Sequence, residues 1–178
     1  MPTVIRGSDN IDTSNVATQT ELDERTLTLG TAVTASGTSI DFTGIPSWAK
    51  RITVMLDGVS TNGSSNLLIQ LGDSGGIETT GYLGGGSNTA VGTALYTTGF
   101  GTNLNNSSTS VLLGAIQITN INGNFWVASG SLARTDYAAT GNTVGSKETS
   151  APLDSIRITT VNGTDVFDAG TINIMYEG

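Results

Sequence analysis

An alternation of apolar and polar residues with a period of two is the feature that most constrains this chain. In the segment 51–57, Ile52, Val54 and Leu56 alternate with polar residues. Side chains of a β-strand point to opposite faces in turn, so such a segment predicts a strand with one face on a core. Threonine supplies much of the polar side, and it has a high strand propensity. The alternation recurs at Ile40/Phe42, Leu67/Ile69/Leu71, Ile116/Ile118, Ile156/Ile158 and Ile172/Ile174/Tyr176.

Short turn sequences separate these segments. The pairs Asp57-Gly58, Asn62-Gly63, Asn122-Gly123 and Asn162-Gly163 are typical of tight turns, which need positive φ angles. Longer loops are predicted where Gly, Ser, Thr and Asn accumulate: Gly84–Asn88, Gly99–Ser110 and Thr140–Pro152. Eight or nine strands between Gly37 and Gly178, with no repeat of fixed period, predict an all-β, antiparallel β-sandwich of jelly-roll type over residues 31–178.

The first 30 residues differ from the rest. They contain five of the fifteen acidic residues and few aliphatic ones, and Ser14 is a candidate N-cap for one short helix. A helix of that length is marginal without support, so residues 1–30 are predicted to be an attachment and oligomerisation arm. Its candidate subunit contacts are Ile11, Val16 and Leu22.

Composition excludes several functions. The chain has no His and no Cys, which removes the commonest general base, the commonest zinc ligand and all thiol chemistry. Seven basic residues against fifteen acidic ones give a net charge of −8, which argues against binding nucleic acid. No segment approaches the run of about 20 apolar residues that spans a bilayer. We therefore expect no enzyme, cofactor, metal site or membrane insertion.

Two segments resemble phage proteins. Residues 6–23 resemble the segments that lead into the head domains of bacteriophage tail fibres. Residues 44–60, continued through 66–73, are similar to a β-strand block of tail fibre and tail spike proteins. The resemblance implies a virion protein made in the host cytoplasm, usually a homotrimer, that joins other tail or adaptor proteins and contacts a host-surface polysaccharide. Its motifs are structural, so it assigns no binding residue.

Residues beside or within the predicted loops are candidates for glycan contact. An aromatic ring stacks on the apolar face of a sugar, while amides, carboxylates and guanidinium groups bind its hydroxyls. The candidates are Tyr82, Tyr96, Asn103, Asn105, Arg134, Asp136 and Tyr137.

Trp126 is a candidate for either a ligand contact or a subunit interface. If Phe125 and Val127 face the core, alternation turns Trp126 outward. A Trp exposed on a strand is covered by a neighbouring subunit or is available to a ligand.

Two alternatives to receptor binding remain open. One is a purely architectural virion component, such as a head fibre, a decoration protein or a tail or baseplate linker. The other is a depolymerase, which would need two carboxylates about 5–10 Å apart. The sequence pairs none of its carboxylates.

Overall fold

The computed structural model describes residues 21–22, 26–104 and 107–178, which form two antiparallel sheets. Strands are numbered in chain order. The large sheet contains, in spatial order, β1 (Thr28–Leu29), β14 (Phe167–Glu177), β4 (Arg51–Thr61), β10 (Leu112–Asn122), β11 (Phe125–Arg134), β12 (Thr140–Glu148), β7 (Leu83–Asn88) and β8 (Gly92–Tyr96), and β2 (Val33–Thr34) also pairs with β14. The small sheet contains β3 (Ile40–Thr43), β13 (Ser155–Thr160), β5 (Leu67–Asp73) and β6 (Gly76–Ile77), and β9 (Phe100–Gly101) also pairs with β5.

The core lies between the two sheets. Ile52, Val54 and Leu56 of β4 are buried, whereas Arg51 and Asp57 of the same strand are exposed. The predicted apolar residues of β3, β5, β10, β13 and β14 are buried in the same cluster, except that Tyr176 is partly buried and packs against it. This arrangement confirms the predicted all-β antiparallel sandwich.

Three of the four predicted turns lie between strands. Asn62-Gly63 connects β4 to β5. Gly123 (φ 48°) and Gly163 (φ 68°) lie between consecutive strands of the chain. Gly58 (φ 66°) lies instead inside β4, opposite irregularities in the pairing of β10 and β14, so the turn predicted there is a bulge.

Two of the three predicted loops are largely strands. Gly84–Asn88 belongs to β7, and Thr140–Pro152 contains β12. The third, Gly99–Ser110, contributes only the two residues of β9 to a sheet among its described residues. Glycine lowers strand propensity and leaves no side chain to alternate, but pairing with neighbouring strands overrides that preference. The described chain after Gly37 accordingly has twelve strands, more than the eight or nine predicted.

The arm predicted over residues 1–30 lies mainly outside the described residues, as do Ile11 and Val16. Leu22 is described and is half exposed. From Thr28 onward the chain joins the large sheet, because β1 and β2 both pair with β14.

Candidate functional site

The connection between β11 and β12 is a short, tightly bonded hairpin at one end of the large sheet. Arg134 closes it by donating its backbone N–H to the Ala139 carbonyl at 3.0 Å, and the Ala139 N–H donates to the Tyr137 carbonyl at 2.8 Å. The Thr135 N–H donates to the Val111 carbonyl at 3.0 Å. The hairpin is therefore anchored both to itself and to the neighbouring β10 edge.

Three of the predicted ligand residues meet in this hairpin. The Arg134 guanidinium forms an ion pair with Asp136, and its Nε donates to Asp136 Oδ1 at 3.1 Å. The same oxygen accepts the Val111 N–H at 2.9 Å. The guanidinium also lies 5.4 Å from the centroid of the Tyr137 ring, a cation–π contact. The Arg134 side chain is only 6% exposed, so it is a fixed support for both neighbours.

The electrostatics of the hairpin keep Asp136 ionised. Hydrogen bonds from Arg134, followed by the one from the Val111 backbone, lower the pKa of Asp136 to about 2 against the opposing effect of burial. A carboxylate with that pKa is a hydrogen-bond acceptor at neutral pH and cannot donate a proton to a leaving group.

Tyr137 is the exposed part of the hairpin. It is 57% exposed while the guanidinium lies over its ring. A ring held on one side by a buried cation and open elsewhere is pre-oriented for stacking, because little conformational entropy remains to be lost.

A shallow groove of about 370 Å³ borders the hairpin on the outward face of β10, β11 and β12. Ala133 and Thr140, which pair in register immediately before the hairpin, are part of its lining. Ser131 Oγ donates to Asn142 Oδ1 at 2.7 Å, and both residues line the groove. Leu113, Gly114 and Leu132 complete the lining.

Trp126 does not point outward, and the prediction that it would is wrong. It is 4% exposed and shares the inward face of β11 with Ala128 and Leu132. Phe125 and Val127 are the residues on the outward side. The small residues between Trp126 and Leu132 hid the alternation. Counting it back from Leu132 would have placed Trp126 on the inward face. In this structure the indole is not accessible to a ligand or a second subunit.

Tyr82 and Tyr96 were expected at exposed loops and are also buried, at 1% and 7% exposure. Burial raises the pKa of both phenols above its ordinary value. The Tyr82 hydroxyl accepts the Leu71 N–H at 2.7 Å and donates to the Glu78 carbonyl at 3.0 Å. Both rings therefore belong to the core, and their hydroxyls bind polar groups of the protein.

Asn103 fastens a loop. Its φ of 47° is a left-handed conformation, its amide donates to the Gly92 carbonyl at 3.0 Å, and its Oδ1 lies 3.3 Å from the Tyr96 hydroxyl. These bonds hold the segment after β9 against β8. Asn105 lies outside the described residues.

A carboxylate cluster that the sequence did not pair lies at the junction of β5, β6 and β12. Asp73 Oδ2 accepts the Ser150 hydroxyl and the Ala151 N–H, both at 2.7 Å. Glu78 accepts the Ser150 N–H at 2.7 Å and forms an ion pair with the nearly buried Lys147. Only the spatial meeting of distant strands creates the cluster, so no local signal could have found it.

The protonation of this cluster argues for a structural role. Hydrogen bonds, chiefly from Ser150, lower the pKa of Asp73, and bonds from Lys147 and Ser150 lower that of Glu78 despite its burial. Glycoside hydrolysis requires one carboxyl of a pair with a raised pKa, so this pair is not suited to it. The cluster ties the segment after β12 to the β5–β6 hairpin.

Within the described residues, no group of three or more acidic side chains could hold a metal ion, and no helix is long and apolar enough to cross a membrane. Comparison with protein-family models, with curated proteins and with solved structures finds no match.

Proposed function

We propose that this chain is a virion protein of the tail-fibre type, a homotrimer that attaches the particle to a host-surface polysaccharide. The observation that carries the proposal is the β11–β12 hairpin. There the exposed Tyr137 ring lies against the Arg134 guanidinium, which forms an ion pair with Asp136, beside a groove. The resemblance of residues 6–23 and 44–73 to tail-fibre segments supplies the virion context.

The hairpin combines the groups that sugar recognition needs. The Tyr137 ring offers an apolar face for the C–H side of a pyranose. The ionised Asp136 accepts hydrogen bonds from sugar hydroxyls.

One such site is small and binds weakly, so attachment depends on several sites acting together. Three hairpins carried on one tip raise the effective concentration of the second and third contacts, and overall avidity can exceed a single affinity by about 10²–10⁴-fold. In this proposal the N-terminal arm joins the head to other virion proteins.

The test is binding of the purified protein to a panel of bacterial surface polysaccharides, measured by biolayer interferometry. Tyr137→Ala removes the ring and is expected to lower affinity about tenfold, the equivalent of about 1.4 kcal/mol. Tyr137→Phe keeps the ring and is expected to bind like wild type. Val161→Ala changes an exposed residue elsewhere and serves as the control. Equal affinity for Tyr137→Ala and wild type would contradict the site.

A purely architectural virion component is the second candidate. It is favoured by the outward surface of β7, β8 and β10, strands that contain no charged residue and suit contact with protein. Adsorption separates the two: purified receptor-binding protein competes with infection, whereas an architectural component does not. Failure to bind any polysaccharide or to reduce adsorption would favour the architectural function.

A further inference from the structure

Five adjacent strands of the large sheet form an outward surface almost without charge, here called the neutral face: the outward side of β10, β11, β12, β7 and β8. These strands contain only three charged residues, Arg134, Lys147 and Glu148, each at or next to a strand end. The side chains of Arg134 and Lys147 are 6% and 7% exposed. In a chain with a net charge of −8, this is a surface on which identical copies meet without carboxylate repulsion.

Large aliphatic side chains are exposed at one end of the neutral face. Leu95 is 89% exposed, Leu83 74% and Val144 58%. The strand register aligns Val144, Gly85 and Leu95 across β12, β7 and β8. Because Gly85 has no side chain, the row contains a notch of about 290 Å³ between a valine and a leucine.

Apart from the hydrogen bonds between the Asn103 side chain and β8, the edge of the sheet at this end is unprotected. Strand β8 pairs with β7 on one side, and no other described strand lies beyond it. Edge strands of isolated proteins are commonly blunted by charged residues or proline, but Gly92–Tyr96 contains neither. An uncharged edge carrying a nearly fully exposed leucine is typical of a surface that is covered in the assembled protein.

The neutral face is large enough for a stable contact. Its five strands contain 41 residues; at about 4.8 Å between strands and about 3.3 Å per residue, they cover roughly 650 Å². Specific interfaces begin at about 600 Å² on each partner.

We propose that copies of this chain associate through the neutral face, with Leu95 of one copy seated in the Gly85 notch of another. The occupant is a second copy because the face supplies both halves of the contact, an exposed leucine and an apolar notch, and because neutrality removes the repulsion between two chains of the same net charge. The inference rests on the oligomeric state proposed above. The groove beside the hairpin lies on the same face and shares Asn142 with the notch, so the contact leaves Tyr137 and Asp136 of the hairpin as the glycan site.

The test is the molar mass in solution, measured by size-exclusion chromatography with light scattering. Wild type is expected as a multiple of the 18.2 kDa chain. Leu95→Asp places a carboxylate on the contact and is expected to elute as a monomer. Val161→Asp adds the same charge at an exposed valine after β13 and is expected to retain the wild-type mass.

Gly85→Val fills the notch from below and is the second variant. A Cβ at Gly85 meets the Ala94 carbonyl oxygen at 3.4 Å and Leu95 Cδ2 at 3.9 Å, which are ordinary contacts, so the fold should persist. This variant is also expected to be a monomer. Circular dichroism checks that both variants remain folded.

The outcomes test the neutral-face contact separately from the proposed function. Wild type that is a monomer at every concentration overturns both the neutral-face contact and the proposed trimer. Wild type that is oligomeric together with folded Leu95→Asp and Gly85→Val variants of the same mass overturns the contact alone. Polysaccharide binding by monomeric Leu95→Asp, weaker by the loss of avidity but still sensitive to Tyr137→Ala, tests the glycan site independently.

Discussion

Tyr82→Phe is expected to destabilise the protein through a single buried hydroxyl. One edge of β5 pairs with β9 at Leu68 and Ile69 and with β6 at Gly72 and Asp73. Between these pairings, at Leu71, the Tyr82 hydroxyl accepts the backbone N–H at 2.7 Å. The same hydroxyl donates to the Glu78 carbonyl at 3.0 Å. It thus supplies the hydrogen bond that a neighbouring strand would otherwise make to Leu71.

The size of the effect follows from what the substitution removes. Phenylalanine keeps the ring and its edge-to-face contact with Phe100, whose centroid is 5.2 Å away, so packing changes little. The Leu71 N–H, on a fully buried residue, loses its acceptor, and an unsatisfied buried donor costs about 1–3 kcal/mol. We expect a loss of about 2 kcal/mol, or a fall in Tm of about 4–8 °C for a domain of this size.

Urea unfolding followed by tryptophan fluorescence measures this loss, and Tyr137→Phe is the matched control. It removes the same hydroxyl from a residue that is 57% exposed, so its free energy of unfolding should stay within about 0.5 kcal/mol of wild type. If Tyr82→Phe also falls within that range, the hydroxyl does not complete the edge of β5 and the reasoning is wrong.

Alkaline pH provides a second measurement on the same variant. Burial raises the pKa of Tyr82 above its ordinary value of 10, so the unfolded chain releases this proton first as pH rises. Wild-type stability attributable to the phenol is therefore complete below pH 10 and declines above it. Tyr82→Phe is expected to show a shallower decline over that range.

Three further predictions concern packing and acid stability. Gly130→Ala should lower the free energy of unfolding by about 2 kcal/mol or more, because the new Cβ would lie 2.5 Å from the Ala115 carbonyl oxygen. Gly85→Ala, whose Cβ has a nearest contact of 3.4 Å, is the control. Equal urea midpoints for the two variants would contradict the packing argument. Trp126→Phe should cost less than about 1.5 kcal/mol, since the indole N–H finds no acceptor among the described residues, whereas Trp126→Ala should cost about 3–5 kcal/mol in the same assay. The pKa values of Asp136, Asp73 and Glu78 are lowered in the folded protein, so their stabilising contribution is complete above about pH 4.5 and is lost as pH falls toward the folded-state values. Between pH 7 and pH 2, Tm should therefore fall less steeply below pH 4 for Asp136→Asn than for wild type. Parallel curves would refute the role of Arg134.

The sequence predicted strands and their buried faces only where alternating side chains differ clearly in size and polarity. Where large aliphatic residues alternate with polar ones, as in β4, the strand and its buried face were predictable. Where one partner in the alternation is glycine or alanine, as between Trp126 and Leu132, the face was assigned wrongly. In Gly84–Asn88 the pattern disappears altogether, and only pairing with β12 and β8 defines the strand.

The candidate site was predicted unevenly for the same physical reason. Arg134, Asp136 and Tyr137 are neighbours in the chain, so their meeting in one hairpin follows from local geometry. The pairing of Asp73 with Ser150 joins residues 77 positions apart, and that of Glu78 with Lys147 joins residues 69 positions apart. Nothing in local sequence specifies such contacts, because they depend on which strands of the two sheets overlap.

Two glycines on the inward faces of β7 and β12 allow the β9 segment to approach the large sheet closely. A Cβ at Gly86 would lie 2.7 Å from the Gly101 carbonyl oxygen, and one at Gly145 would lie 2.8 Å from the Phe100 ring. The inward faces of β7 and β12 therefore accept the β9 segment at backbone distance, without a further layer of side chains. A sheet covered this closely leaves little room for a ligand between its inward face and the β9 segment at these two positions. The proposed glycan site at Tyr137 and the proposed contact between copies both use outward surfaces instead.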